Sequence, residues 1–301
     1  MKVFLTGATG YIGSAVADTL QTAGHTVIGL VRSQDGVRRL KDRGIDAHIG
    51  DLKSAESLIE AARQADGVIH TASTNNFDAP EADITALEAI LTALEGTGKP
   101  LIYTSGTWVM GNTGENIANE ESRIDPTPLV AWRPAVEQQV LQAAERGVRT
   151  VVIRPALVYG RGGGVLANIV HSARENGIVR FIGTGANYWT LVHVEDLAKL
   201  YVQALEKAPA KTLWIAASGS PVQVSEIAQA VSEAVGISGQ TQAWPLEQAR
   251  QLMGPFADAL VLDQKISGTK ATQLLDWKPQ SPSVLNELKH GSYVNVAQAT
   301  A

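Results

Sequence analysis

The chain contains no cysteine in its 301 residues. Disulfide bonds, thiol catalysis and cysteine-ligated zinc are therefore excluded, and we expect no metal site. Charges of both signs are present in similar numbers. The chain has 25 Lys and Arg and 30 Asp and Glu, which gives a net charge of −5. Without a basic run or an apolar run of membrane-spanning length, the sequence predicts binding to neither nucleic acid nor membranes. An apolar run begins already at Val3 and leaves no room for a signal peptide, so we expect a cytoplasmic protein. We also expect its substrate to be a small molecule.

The most informative feature that is present is a set of three glycines near the start of the chain. The apolar run Val3–Leu5 predicts a buried strand, and Gly7, Gly10 and Gly13 follow it at three-residue spacing before a helical pattern begins. A strand, a glycine turn and a helix N-terminus together hold the diphosphate of a dinucleotide. The alternative is a glycine turn with a structural role alone. We expect the cofactor to contact Gly7, Thr9, Gly10, Tyr11, Ile12 and Gly13.

Strand-like and helix-like segments alternate through the first half of the chain. After the first strand, apolar runs predict strands at residues 27–31, 47–49, 67–70, 101–103 and 151–153, with helical patterns between them. Such alternation predicts an α/β fold with a doubly wound parallel sheet (Rossmann type), whose ligand crevice lies at the carboxyl ends of the strands. We assign residues 1–160 plus about 190–217, including a returning strand at 213–215, to the dinucleotide-binding domain. Residues of about 161–189 and 218–301 are expected to form a smaller, mostly helical C-terminal lobe that covers the crevice and binds substrate.

The end of the second predicted strand carries no carboxylate. NAD-binding folds place an acidic residue there to hold the ribose 2′-hydroxyl, whereas this chain has Arg32. A planar guanidinium suits a 2′-phosphate, so we expect NADP(H) in preference to NAD(H); an ordinary exposed arginine is the alternative. After the third strand, Asp51 and its neighbour Leu52 are expected near the adenine, although Asp51 is equally suited to cap the helix that follows.

Four segments together resemble the extended and atypical short-chain dehydrogenase/reductases of the NAD-dependent epimerase/dehydratase superfamily. They are Gly7–Gly13, Tyr103–Thr107, Arg154–Gly160 and Val192–Ala198, and the resemblance covers nearly the whole chain. It implies a nicotinamide dinucleotide as cofactor. It also implies cofactor contacts beyond the glycine loop, at Thr71, Ala72, Ser73, Thr104, Arg133 and Pro155.

The sequence departs from this family at the catalytic residues. Family members use a Ser or Thr with a Tyr and a Lys four residues apart, where the Tyr transfers a proton and the Lys lowers its pKa. Alignment on residues 136–138 puts Leu129 at the Tyr position and Arg133 at the Lys position. The Ser position falls at or beside Gly106, and Asp83 takes the place of the usual Asn. The chain therefore resembles the atypical branch, in which the nucleotide fold persists and the catalytic set is eroded.

Four residues remain as catalytic candidates: Asp83, Thr107, Arg133 and Tyr159. We expect Arg133 and Asp83 to form a charged pair at the site. Thr107 is suited to hydrogen-bond a substrate carbonyl or is otherwise a turn hydroxyl, and Tyr159 is equally well explained as a packed aromatic. His193 is expected to serve as a structural cap or in a buried hydrogen bond rather than in catalysis.

Two predicted loops also offer side chains for substrate contact. The first follows the fourth strand, and the second precedes the segment that begins at Val192. The residues are Asn75, Asn76 and Asp78 in the first loop, and Tyr188 and Trp189 in the second.

These features predict an NADP(H)-binding oxidoreductase that reduces a small carbonyl or related unsaturated compound. Two alternatives stay open: an epimerase or dehydratase that acts on a sugar nucleotide, and a non-catalytic dinucleotide-binding sensor or scaffold. The C-terminal half contains no cluster of Arg and Lys suited to a sugar-nucleotide diphosphate. The resemblance is also compatible with a homodimer, formed through the helices that carry Asp83 and the Leu129–Arg133 segment.

Overall fold

The computed structural model describes residues 1–74 and 78–294. Its strands are β1 Lys2–Thr6, β2 Thr26–Val31, β3 Asp46–Ile49, β4 Gly67–His70, β5 Pro100–Thr104, β6 Arg149–Pro155, β7 Leu157–Tyr159, β8 Val179–Ile182, β9 Tyr188–His193, β10 Thr212–Ala216, β11 Ser218–Gln223 and β12 Thr241–Trp244. Its α-helices are α1 Tyr11–Thr22, α2 Gln34–Lys41, α3 Ala55–Gln64, α4 Ala79–Leu94, α5 Arg133–Gln142, α6 Gly164–Asn176, α7 Val194–Lys207, α8 Val224–Ala234, α9 Leu246–Met253, α10 Phe256–Leu260, α11 Thr269–Leu274 and α12 Val284–His290.

Seven parallel strands form the central sheet, in the order β3-β2-β1-β4-β5-β6-β10. Every strand predicted above lies in this sheet, and the predicted α/β fold of Rossmann type is confirmed. Because β1 is paired with both β2 and β4, the chain reverses its direction of winding at this point. Ligand crevices open at such a switch point, beyond the carboxyl ends of the strands. There Thr6, at the end of β1, lies beside His70, at the end of β4.

Helices cover both faces of the sheet. Alternate residues of β1 point to opposite faces, so Val3 and Leu5 belong to the apolar cluster that includes α1 and α7, whereas Phe4 belongs to the cluster that includes α3, α4 and α5. A strand buried on both faces has to be apolar throughout. This is why the central strands are visible in the sequence as short continuous apolar runs.

The C-terminal lobe has a third apolar cluster, built around α6, α8 and α12. Two small sheets accompany these helices, one of β7, β9 and β11 and the other of β8 and β12. The sequence analysis missed these strands, because runs of three to six residues show too little alternation to indicate a strand. The division of the chain into two domains stays a prediction. Over residues 1–74 and 78–294, we find no helix with the length and apolar character needed to cross a membrane.

Candidate functional site

The three glycines between β1 and α1 have different steric roles. Gly7 has a φ of 76°, in the left-handed region that disfavours any residue with a side chain. A Cβ added at Gly13 would lie 2.1 Å from the carbonyl oxygen of Gly7, so only glycine lets α1 approach the loop this closely. A Cβ added at Gly10 would meet that oxygen at 3.1 Å and otherwise enter open space. Gly10 therefore keeps the space at the start of the helix free.

Helix α1 begins without a side-chain cap. Gly10 is its N-cap, and the first turn contains no acidic residue. The N–H groups of a first turn have no acceptor inside the helix, and the helix dipole makes this end attractive to anions. The open space at Gly10 and these donors fit the diphosphate of a dinucleotide. Tyr11 and Ile12 would supply main-chain N–H groups to it, beside the exposed Thr9.

The side chain of Tyr11 joins the glycine loop to the C-terminal lobe. Its hydroxyl donates to the carbonyl oxygen of Gly160 at 2.8 Å, and its ring lies so close to Gly163 that an added Cβ there would be 2.4 Å from it. The hydroxyl of Tyr293 accepts from the N–H of Gly160 at 2.9 Å and donates to the carbonyl oxygen of Gly163 at 2.7 Å. Burial raises the pKa of Tyr293 to about 12, so this hydroxyl keeps its proton at neutral pH.

Arg32 is exposed directly after β2. The next residue, Ser33, caps α2 by accepting from the N–H of Gly36 at 3.3 Å. Among the residues that the structure describes, none forms an ion pair or hydrogen bond with the guanidinium of Arg32. It is therefore available to an anionic ligand at the end of this strand.

The carboxylate of Asp51 stabilises a local turn after β3. It accepts from the main-chain N–H of Lys53 at 3.0 Å, whereas the N-cap of α3 is Ser54. The alternative that Asp51 caps α3 is therefore wrong, since the chain makes an Asx turn before the helix starts. Leu52, the other residue predicted near the adenine, is buried.

The remaining predicted cofactor residues lie at the carboxyl ends of β4, β5 and β6. Thr71 donates its hydroxyl to the carbonyl oxygen of Thr6 at 2.7 Å, and the N–H of Ala72 donates to the Thr6 hydroxyl at 3.2 Å. These bonds hold the loop after β4 against the end of β1. The residues placed at this edge are Thr71, Ala72 and Ser73 after β4, Thr104 at the end of β5 and Pro155 at the end of β6.

A buried hydrogen-bond network starts at the same edge. The Nδ1 of His70 lies 2.8 Å from the hydroxyl oxygen of Thr6, and its Nε2 lies 3.1 Å from Oδ1 of Asp83. We assign the proton to Nε2, because a carboxylate only accepts. The hydroxyl of Tyr103 donates to Oδ2 of Asp83 at 2.7 Å. All four side chains are buried, so the carboxylate of Asp83 has two donors and no contact with bulk water.

The pKa values of Asp83 and Tyr103 keep each of these two groups in one protonation state at neutral pH. Burial alone would raise the pKa of Asp83, but the hydrogen bond and charge interaction with His70, followed by the bond from Tyr103, outweigh burial and hold it below its usual value. Burial, and then the charge of Asp83, raise the pKa of Tyr103 well above its usual value. At neutral pH, Asp83 is thus a carboxylate and Tyr103 a neutral phenol. The network is suited to positioning other groups rather than to proton exchange.

Arg133, the first residue of α5, contacts this network from the side of β5. Its Nη1 donates to the Tyr103 hydroxyl at 3.3 Å and to the carbonyl oxygen of Thr104 at 3.1 Å, and its Cζ lies 4.5 Å from the ring centroid of Trp132. The expected charged pair of Arg133 and Asp83 is therefore indirect, because the Tyr103 hydroxyl lies between the two groups. Three of the five N–H donors of the guanidinium bond to no residue in the described part of the chain.

Helix α5 is anchored one turn after Arg133. The buried Glu137 and Arg154 are joined by two parallel bonds, Nε to Oε1 at 2.9 Å and Nη2 to Oε2 at 2.5 Å. Leu129, at the position where the family has Tyr, lies in a 3₁₀ turn over Pro128–Val130 and packs against the apolar core. The helix thus holds a charged residue near the end of β5 but presents no proton donor at the Tyr position.

The turn after β5 carries two hydroxyl groups. Thr107 is buried at the start of a 3₁₀ turn over Thr107–Met110, and its carbonyl oxygen accepts from the amide of Gln264 at 2.9 Å. The hydroxyl of Ser105 is buried and has no hydrogen-bond partner within residues 1–74 and 78–294. A buried polar group without a partner is costly. Because Ser105 directly follows β5 at the carboxyl edge of the sheet, it is a candidate for contact with a bound ligand.

Tyr159 lies in β7, where its hydroxyl donates to the carbonyl oxygen of Pro282 at 2.7 Å. Its ring packs edge-to-face on His193, and its catalytic role stays a prediction. His193 caps α7 by accepting from the N–H of Glu195 at 3.2 Å, so its predicted structural role is confirmed.

The residues expected in the two substrate loops lie in different kinds of structure. Tyr188 and Trp189 belong to strand β9, so their placement in a loop is wrong. Asp78 precedes α4 and pairs with Lys53 at 3.2 Å. Asn75 and Asn76 lie outside the described residues.

The sequence analysis missed His70 and Tyr103 as site residues. His70 was interpreted only as a member of an apolar strand, and Tyr103 as a strand residue at the start of the family-like segment Tyr103–Thr107. The available signal was their position, because a polar side chain near the carboxyl end of a buried parallel strand lies at the ligand crevice.

Comparison with known proteins decides the family. Residues 3–216 match the family model described as the NAD dependent epimerase/dehydratase family. The chain belongs to this family. The resemblance found in the sequence is thereby confirmed, as is the dependence on a nicotinamide dinucleotide that characterises the family.

The named enzymes among the proteins similar to this chain carry out different reactions. An uncharacterized protein of Schizosaccharomyces pombe is 34% identical over 299 residues, 97% of this chain and 100% of that protein. A 4-hydroxy-2-methyl-3-oxo-4-farnesyl-3,4-dihydroquinoline-1-oxide ketoreductase of Stigmatella aurantiaca is 25% identical over 260 residues, 83% of this chain and 78% of that enzyme. The structure of UDP-glucose 4-epimerase from Thermotoga maritima has a TM-score of 0.83 over 100% of this chain and 99% of that one, at 22% identity. This last similarity shows the shared fold.

Proposed function

We propose that this chain is a carbonyl reductase that uses a nicotinamide dinucleotide, with NADP(H) preferred. The observation that carries the proposal is the guanidinium of Arg133, fixed by Tyr103 and Thr104 near the end of β5, with three N–H donors that bond to none of residues 1–74 and 78–294. The hydroxyl of Ser105, which also has no partner among those residues, follows the same strand. The similarity to a ketoreductase of Stigmatella aurantiaca supports the same reaction class.

The chemistry follows from what each group is able to do. The reduced dinucleotide, when bound, supplies the hydride for the carbonyl carbon. Negative charge then develops on the carbonyl oxygen, and a preorganised guanidinium stabilises that charge. Arg133 keeps its own proton, so the proton that completes the alcohol comes from water through a hydroxyl group, for which Ser105 and Thr107 are the candidates in this site.

The test measures NADPH oxidation with a panel of aldehydes and ketones. We expect turnover by the wild type, a loss of about 100-fold in kcat/KM for Arg133→Ala and a smaller loss for Arg133→Lys. Binding of NADP⁺ is measured separately by titration. Binding without any oxidation across the panel would contradict the proposal and favour a sensor, whereas turnover of UDP-glucose without net redox change would favour an epimerase.

The preference for NADP(H) is tested at Arg32. Its exposed guanidinium stands where NAD-binding folds carry an acidic residue. We expect Arg32→Asp to lower the ratio of NADPH to NADH efficiency at least tenfold. Arg63→Asp, which changes an equally exposed arginine in the last turn of α3, should leave that ratio unchanged.

We further propose a homodimer formed through α4 and α5, and a location in the cytoplasm. The absence of cysteine agrees with that location. Sedimentation equilibrium tests the oligomeric state, and a monomer at all accessible concentrations would exclude the dimer.

A further inference from the structure

The C-terminal lobe contains a cavity of about 370 Å³. Its walls are one face of α6, one face of α8, strand β8 and the segment from α9 to α10. A volume of this size lies within the range of small-molecule sites. At the roughly 30 Å³ that one water molecule takes up in the liquid, this volume equals that of about 12 water molecules.

The lining of this cavity is apolar. Trp189, Trp244 and Phe256 supply aromatic surfaces, and aliphatic side chains supply most of the rest. Arg180 is the one charged residue of the lining, and its guanidinium lies over the ring of Trp244 at 5.8 Å from the centroid. Asn168 and Ser172 are the other polar residues of the lining. The two phosphate groups of a sugar nucleotide call for more than one cationic partner, so a lining with a single arginine does not fit one.

The cavity wall is continuous with the turn that follows β5. Phe256 packs edge-to-face on Trp108, with 5.7 Å between ring centroids. Trp108 belongs to the Thr107–Met110 turn, three residues after Ser105. An apolar surface thus runs from the cavity to the edge of the sheet where the proposed reaction takes place.

We infer that this cavity binds the apolar body of the substrate, so that the substrate class is ketones with an aliphatic or ring-containing body of about ten carbon atoms. This inference rests on the proposed function for the reaction, carbonyl reduction. The cavity determines which ketones are bound. Leu252 lies at the cavity with 77% of its surface exposed. Such an exposed leucine beside an apolar cavity gains contacts when a ligand covers it.

The experiment titrates the protein, without dinucleotide, with alkan-2-ols from hexan-2-ol to dodecan-2-ol in a calorimeter. We expect each added methylene to tighten binding about fourfold until the cavity is full. Ala228→Leu, which fills space from a buried position on α8, should shift the plateau to shorter chains and weaken binding of decan-2-ol at least tenfold.

A matched pair of exposed leucines provides the control. Leu252→Ser should weaken binding of decan-2-ol several-fold, whereas Leu274→Ser, with 68% exposure on α11 and away from the cavity, should not change it. Affinity that is independent of chain length, or equal effects of both substitutions, would overturn the inference. Alcohols that bind as expected without turnover of the matching ketones would instead contradict the reductase proposal alone.

Discussion

The hydroxyl of Tyr103 lies 2.7 Å from Oδ2 of Asp83 and 3.3 Å from Nη1 of Arg133. It donates to the carboxylate and accepts from the guanidinium, so a single phenol holds two charged groups in place. Because Asp83 also accepts from His70, the carboxylate is satisfied without a direct bond to Arg133. The guanidinium of Arg133 therefore keeps N–H donors at the proposed reaction site that bond to none of residues 1–74 and 78–294.

Removal of the Tyr103 hydroxyl tests both its contribution to the stability of the fold and its role in orienting Arg133. Tyr103→Phe leaves Asp83 with one buried donor fewer, and we expect it to lower the free energy of unfolding by about 1–3 kcal/mol. With Arg133 less firmly oriented, kcat for carbonyl reduction should fall about tenfold while the affinity for NADP⁺ stays the same. Tyr201→Phe is the matched control, since its buried hydroxyl bonds to the Thr104 hydroxyl at 2.6 Å and does not touch Asp83. Equal kcat values for the two variants would contradict this role.

Two glycines of the first loop should respond differently to the same substitution. An added Cβ at Gly10 enters the space proposed for the diphosphate, so Gly10→Ala should weaken dinucleotide binding at least tenfold with little change in melting temperature. An added Cβ at Gly13 would lie 2.1 Å from the Gly7 carbonyl oxygen, so Gly13→Ala should destabilise the fold. Thermal unfolding and NADP⁺ titration of both variants check this. A stable Gly10→Ala variant with normal affinity would show that the diphosphate binds elsewhere.

The buried ion pair of Glu137 and Arg154 should matter more than any exposed pair. Glu137→Gln leaves the Arg154 guanidinium uncompensated in the interior, at a cost of about 3–5 kcal/mol. Urea unfolding measures this cost. As a control, Glu145→Gln disrupts the exposed pair with Lys211 and should leave the urea midpoint unchanged. Equal midpoints for the two variants would show that the buried pair contributes no stability.

The protein should lose stability in alkaline solution. Four buried tyrosines and the partly buried Tyr11 have pKa values raised chiefly by loss of hydration; the four are Tyr103, Tyr159, Tyr201 and Tyr293. Above pH 10 the unfolded chain releases phenolic protons that the folded chain keeps, so stability present below pH 10 falls as pH rises, by up to about 1.4 kcal/mol per pH unit for each tyrosine.

Thermal unfolding between about pH 8 and about pH 12 checks this loss, which for Tyr293 extends to its pKa of about 12. Tyr201→Phe should show a shallower decline than the wild type, because one titrating group is removed. A melting temperature that does not change over this range would contradict the assignment.

The sequence predicted the fold because the central strands are buried on both faces. Short apolar runs such as Val3–Leu5 are visible without knowledge of their neighbours, and the glycine spacing marks the first turn. The strands of the lobe were missed, because a short strand such as β7 is recognisable only from its pairing with a distant strand, here β9.

The candidate site was harder to predict, since its geometry depends on contacts between distant segments. Alignment located Arg133 and Asp83 on two helices, but the phenol that joins them comes from strand β5. A sequence pattern does not show that Tyr103 points toward α4 and α5. The cavity was likewise not predictable from the sequence, because its walls combine side chains from seven separate elements.

The bonds between Tyr11, Gly160 and Tyr293 have a consequence for synthesis of the protein. Tyr11 leaves the ribosome early, yet its hydroxyl acceptor at Gly160 comes 149 residues later, and Tyr293 follows 133 residues after that. Contacts of such long range form late in folding. Until residues 160–163 and 293 have been synthesised, the nascent chain therefore carries the ring of Tyr11 without the partners that hold it in the folded protein.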